Sequence, residues 1–284
     1  MMKGYIEMIC FTIALMNKAV AKDWSVVEMN FNNTLHSIFN QTNNQFRVYV
    51  GYTDMPKLYE KYDQRLIMIP CNTPTPVKRI EKLQDRGWKL AVCANAIYND
   101  YEELSSGDKG IFVFTVDADD LVNRRIVEYA NNHSRANGFK SHKAYMHVKG
   151  RKYLQITPYF GGTMNVMKLF KDDLIKKMPD ISLCFDLATS RILNKCPIRW
   201  TDIEVENKFS EIGRPMSYFP FRSTIYLVGT GDNLSDSDPA NQPREKKKRF
   251  HPVAFLRRVN PFDKRIITNR IKQEFGIQES GFNC

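Results

Sequence analysis

A chain of 284 residues with 43% hydrophobic and 26% charged residues holds enough apolar material for one large folded domain, which excludes wholesale disorder. The formal net charge of +11 is unevenly placed: from Pro243 onward 11 Lys+Arg face 4 Asp+Glu, while the preceding residues carry 31 against 27. The six cysteines form no C-x-x-C pair, which argues against a zinc knuckle or a disulfide-stapled scaffold and suits a reducing cytoplasm.

The apolar run Tyr5–Leu15 is interrupted by Glu7, is too short to span a bilayer, and is followed by no small-residue cleavage site. It reads as a buried first β-strand, and no transmembrane helix is expected. Trp24, Val27, Phe31, Leu35 and Ile38 then recur at helical spacing. Phe46–Gly51 and Arg65–Ile69 read as strands, the first ending in a polar turn through Asp54 and the second closed by Pro70. A helix is expected from about Trp88 to Leu104. Ile111–Val116 follows it, a continuous apolar run that suits a strand buried on both faces.

Strands alternating with helices imply an α/β, mostly parallel, Rossmann-like sheet, which binds ligands at the carboxyl ends of its strands. The acidic run Asp117-Ala118-Asp119-Asp120 sits at such an end. Two carboxylates one residue apart can share a divalent cation that keeps positions open for diphosphate oxygens. Solvated turn residues, or an N-cap for the next helix, are the plainer alternatives.

Beyond this point Leu121–Asn132 reads as a short helix, and Ala144–Val148 with Tyr153–Thr157 as a hairpin. Tyr159–Thr163 reads as a glycine-containing turn before a helix through Leu169. Thr201–Ile212 reads as a helix stopped by Gly213, and Phe219–Val228 as a last strand. His142 and His147 read as surface residues rather than metal ligands. A polar stretch, residues 236–249, separates the body from a basic tail, 250–284. There Ile267, Ile271 and Phe275 line one face of a helix whose other sides are cationic. Such a helix suits an anionic membrane surface or packing on the body.

The run Thr34-Leu-His-Ser-Ile-Phe-Asn-Gln-Thr42 followed by Phe46-Arg-Val-Tyr-Val50 resembles the opening of family 2 GT-A glycosyltransferases. Val116–Asp120 is similar to that family's metal-binding signature, Gly161-Gly162-Thr163 to its acceptor-side glycine turn, and Thr201–Gly213 to its catalytic-base helix. The pattern also bears a faint likeness to a group of rhamnosyl transferases. The resemblance spans residues 5–235 and implies a GT-A catalytic domain over 1–235.

It further implies a nucleotide-diphosphate-sugar donor (UDP-, GDP- or dTDP-linked) and an inverting transfer to a glycan or lipid-linked acceptor in surface polysaccharide synthesis. A Mn²⁺ or Mg²⁺ ion is implied as cofactor. Thr12, Ala14, Asp54, Asn95, Asp117, Ala118 and Asp119 would line the donor site. Asp117, Asp119 and Asp232 would hold the metal, and Gly161, Gly162 and Thr163 would meet the acceptor. Asp202 would be the general base, with Glu204 and Glu206 as nearby competitors and an N-cap for its helix as the plainer alternative. The sequence departs from the pattern in three places. Only Asp54 stands where paired acidic residues meet the base, Thr201 precedes Asp202 where an acid is usual, and Gly229-Thr-Gly-Asp-Asn233 occupies the place of the family's metal-contacting His, where Asp232 or Asn233 would supply an oxygen ligand instead. The competing expectations are a nucleotidyltransferase, disfavoured by the absence of a glycine-rich phosphate loop after the first strand, and a basic nucleic-acid-binding protein, disfavoured by the body's near-balanced charge. No nucleic-acid partner is therefore expected, and a place at the cytoplasmic membrane face is.

Overall fold

The computed structural model describes residues 8–105, 109–141, 144–157, 165–200, 202–228 and 264–278. In chain order the first half runs β1 (Ile9–Ala14), α1 (Trp24–Phe39), β2 (Phe46–Tyr52), β3 (Leu66–Pro70), α2 (Arg79–Asn99), α3 (Tyr101–Leu104) and β4 (Ile111–Thr115). The second half runs β5 (Leu121–Val122), α4 (Ile126–Asn132), β6 (Gly138–Ser141), β7 (Ala144–Val148), β8 (Tyr153–Thr157), β9 (Asn165–Leu169), α5 (Leu187–Leu193), α6 (Asp202–Glu211), β10 (Ser217–Phe219) and β11 (Thr224–Val228). Two elements close the described chain, β12 (Lys264–Ile266) and α7 (Asn269–Phe275).

Seven of these strands form a central sheet in the order β10-β6-β9-β4-β1-β2-β3, parallel throughout except for β9. The fold is thus α/β with a mostly parallel sheet, as the alternation of elements implies. Both faces are covered because the inner strands are apolar on both sides. Ile9, Phe11, Ile13, Val48, Val50, Phe112 and Phe114 pack with Phe31, Leu35 and Ile38 of α1. Cys10, Tyr49, Ile111 and Val113 pack on the other face with Trp88, Ala91, Ala94 and Ile97 of α2. Gly51 lets α2 lie directly on β2, since a Cβ there would stand 2.8 Å from the Lys89 carbonyl oxygen.

Five further strands form a second sheet in the order β12-β8-β7-β11-β5. The tail completes it: Lys264–Ile266 pairs antiparallel with Tyr153–Gln155, and Ile271 and Phe275 of α7 are buried with Leu121, Tyr145, Leu154, Ile225 and Leu227. The apolar face read as a candidate membrane contact is therefore occupied by the protein itself. Asn40 and Arg124 add hydrogen bonds to the backbone of Gln273 and Glu274. No helix among the described residues is long and apolar enough to cross a membrane.

Several elements differ from expectation, each for a physical reason. α2 begins at Arg79 rather than near Trp88, because its first turns present polar residues that a hydrophobic period does not reveal; Glu81 accepts from the Val77 and Lys78 N–H groups to start it. The segment ending at Leu169 is a strand, wedged antiparallel between β4 and β6. Leu121–Val122 pairs with β11 before α4 begins, and the run from Phe219 to Val228 divides between the two sheets around Pro220. His147 is buried, with a ring nitrogen 2.9 Å from the Arg151 carbonyl oxygen. His142 lies outside the described residues.

Candidate active site

The order β3-β2-β1-β4 has a consequence for ligand binding. From β1 the chain runs outward through β2 to β3, then returns across the sheet to place β4 on the other side of β1. The connecting helices α1 and α2 lie on opposite faces. The carboxyl ends of β1 and β4 therefore flank a topological switch point, where an open α/β sheet leaves a crevice. Residues Ala14–Val20 and Thr115–Asp120 border it.

The strand ends are tied together by hydrogen bonds. Thr12 Oγ1 lies 3.1 Å from Thr115 Oγ1, Thr115 Oγ1 donates to the Ile198 carbonyl at 3.3 Å, and the Val116 N–H donates to the Thr12 carbonyl at 2.9 Å. Ala14 ends β1, and the next turn reaches β2 through the Lys18 N–H, which donates to Asp54 Oδ2 at 2.9 Å. Thr12 and Asp54 thus join the loops around the crevice. Asn95 is elsewhere. It lies on α2 about 13 Å beyond Arg86 by helical rise, and its amide donates to the Ile175 and Lys176 carbonyls.

The acidic turn is divided by environment. Asp120 is buried, accepts from the Leu227 N–H at 3.3 Å and ties the turn to the second sheet. Ala118 accepts from Thr34 Oγ1 of α1 at 3.0 Å. Asp117 and Asp119 remain half-buried at the crevice, and Asp117 Oδ1 receives the Arg86 guanidinium of α2 at 2.8 Å. Both partners of that ion pair keep about a third of their surface in solvent, so it contributes little to stability.

Among the described residues no group of three His, Cys, Asp or Glu side chains could hold a metal. Two carboxylates on one turn do not make a closed cage. They fit an octahedral cation that takes one or two carboxylates and completes its shell with phosphate oxygens and water. Asp232, Gly161, Gly162 and Thr163 lie outside the described residues. Asp202 opens α6, which follows directly on the Pro197–Arg199 turn anchored to Thr115.

Sequence reasoning missed the basic side of this site. Arg86 and Arg199 come from different parts of the chain and belong to no local motif. Arg199 packs against Gly87, where a Cβ would collide with its guanidinium, and among the described residues its Nη atoms donate to the carbonyl and hydroxyl of Ser190 alone, at 3.2 and 3.4 Å. Burial pulls Arg199 down to about 10 from an ordinary 12.5. Behind the crevice lies a fully partnered set. Lys89 donates to the Leu15 carbonyl and to Asp85, each at 2.8 Å; Thr73 donates to Asp85 at 2.5 Å; Thr53 meets Thr73 at 2.7 Å.

No protein-family model matches the chain, and no curated protein matches it. A solved structure from Desulfovibrio desulfuricans G20, described as a "putative nucleotide-diphospho-sugar transferase", is similar over 89% of this chain and 95% of its own, with 11% identity and a TM-score of 0.34. At that similarity the activity of one protein says nothing about that of the other.

Proposed function

We propose that this protein is a metal-dependent, inverting glycosyltransferase of GT-A type that takes its sugar from a nucleotide-diphosphate donor. The observation that carries the reading is the placement of Asp117 and Asp119 on one tight turn at the β1/β4 switch point. The resemblance of residues 5–235 to family 2 enzymes supports it. In this reading Thr12, Ala14 and Asp54 shape the donor pocket, Asp117 and Asp119 would hold Mn²⁺ or Mg²⁺, and Arg86 balances Asp117 until the donor arrives.

The bound cation supplies charge that offsets the negative charge growing on the departing diphosphate. Asp202 removes the proton from the acceptor hydroxyl as that oxygen bonds to the anomeric carbon. The carbon–oxygen bond to the diphosphate breaks in the same event, its electron pair leaves with the nucleoside diphosphate, and configuration inverts. Gly161, Gly162 and Thr163 belong to the acceptor side, and Asp232 is assigned as a further oxygen ligand. A glycan or lipid-linked alcohol is the acceptor class, and surface polysaccharide synthesis at the cytoplasmic membrane face is the setting.

The test is release of nucleoside diphosphate from a panel of UDP-, GDP- and dTDP-sugars, with water as the default acceptor, for the parent and for Asp202→Asn. Release from one donor, slowed roughly 10²- to 10⁴-fold in the variant at unchanged donor KM, is expected. Equal release by both proteins would remove Asp202 from the chemistry.

A further inference from the structure

The Arg199 guanidinium offers five N–H donors, and among the described residues two hydrogen bonds engage them, both to the uncharged Ser190. Among the described residues its Nε is buried without a partner, and no carboxylate lies within ion-pair distance. A guanidinium withdrawn from water without a counter-charge is costly, so an arrangement of this kind points to an anion supplied from outside.

The local architecture accommodates that guanidinium. Glycine stands at position 87 inside the long helix α2, where it weakens the helix by about 1 kcal/mol relative to alanine. Its lack of a side chain is what admits the Arg199 head group. The neighbouring residue on α2 is Arg86, which already reaches Asp117. The residue before Arg199 is Ile198, whose carbonyl is bound by Thr115 two positions ahead of Asp117. Arg199 thus follows the residue bound to Thr115 and packs on the residue after Arg86, which ties it to the two elements that carry and meet the acidic turn, and the residue as a whole is half-buried.

We infer that Arg199, seated on Gly87, forms an anion subsite for a diphosphate group next to the Asp117–Asp119 turn. The subsite serves the donor reading by holding the diphosphate from the side away from the carboxylates, and in that respect it rests on that reading. The chemistry it recognises is the diphosphate itself, free or esterified to a nucleoside. Arginine suits this task through its fixed fork of donors and its permanent charge.

The experiment uses the full chain and inorganic pyrophosphate without added metal, followed by calorimetry and by thermal unfolding, for the parent, Arg199→Gln and Arg199→Lys. Pyrophosphate is expected to bind the parent and raise its Tm. Binding should weaken roughly ten- to hundredfold in Arg199→Gln, with a smaller loss in Arg199→Lys, while both variants keep the parent's circular dichroism. Should Arg199→Gln fail to fold, Arg199→Lys decides alone, with weakened binding supporting the subsite. Absence of pyrophosphate binding to the parent, or equal affinity in the parent and Arg199→Lys, overturns it. UDP, GDP and dTDP are then titrated. Pyrophosphate bound through Arg199 with no affinity for any nucleoside diphosphate leaves the anion subsite standing and removes the sugar-nucleotide reading.

Discussion

Two charged clusters sit within two turns of α2 and differ in how they are matched. Asp85 and Lys89 point at the sheet, are almost wholly buried, and pair with each other and with Leu15 and Thr73. Arg86 reaches the half-buried Asp117, and the Arg199 head group resting on Gly87 donates, among the described residues, to Ser190 alone. The first cluster is complete without a ligand, so its charges serve the scaffold. In the second, the Arg199 Nε is buried with no partner among the described residues. A single helix thus carries a face whose charges are matched internally and, in our proposal, a face that meets a ligand beside Arg199.

The largest expected effect tests the scaffold side. Lys89→Met leaves Asp85 buried without its counter-charge and should cost about 3–5 kcal/mol in urea unfolding. Adding Asp85→Asn should recover part of that loss. By contrast, ligand-free Arg199→Gln should unfold within about 1 kcal/mol of the parent, and a loss as large as that of Lys89→Met would erase the distinction between the clusters.

Phe275→Ala comes next, at about 3–4 kcal/mol, because α7 buries this ring beside Tyr145 and Ile225. A helix whose apolar face served a membrane would lose almost nothing in solution, so the same urea titration separates the two roles of the tail.

Gly87→Ala inverts the usual helix preference. Alanine should stabilise an ordinary helix interior by about 1 kcal/mol. Here it displaces Arg199, and a lower Tm together with a lost pyrophosphate response is expected. A higher Tm with the response intact would show that the guanidinium has other room.

The smallest effect is one of pH. Burial holds the His147 pKa below its ordinary value. The unfolded chain therefore takes up a proton near pH 6.5 while the folded chain does not, and stability falls as pH drops below that point. His147→Gln should flatten that part of the stability profile, measured by urea unfolding between pH 7 and 5.

Much of the scaffold was legible because the inner strands are unambiguous. Ile9–Ala14 and Ile111–Thr115 are apolar but for one threonine each, and the position of the second directly before the acidic run pointed to the strand-end site. Short runs were less readable. Asn165–Leu169 gives too few residues for a period to separate strand from helix, and Lys168 within it is buried with its amine on the Ser134 carbonyl, which hides its strand character. The start of α2 was hidden by the polar residues that build the Lys89 network. The acidic half of the site was visible because its members are adjacent in sequence. The basic half was not, since Gly87 and Arg199 meet only in the folded chain and neither carries a local signal. The tail's amphipathic pattern was read correctly as a pattern, but what covers its apolar face depends on the second sheet.

The central claim is that the β1/β4 crevice binds a nucleoside diphosphate through a cation on Asp117 and Asp119. Calorimetric titration with UDP, GDP and dTDP, with and without Mn²⁺, on the parent and Asp119→Ala tests it most directly. The account predicts that one diphosphate binds, more tightly with Mn²⁺, and that the metal-dependent part disappears in the variant. Binding of none of the three, or binding indifferent to both the metal and Asp119, would contradict it.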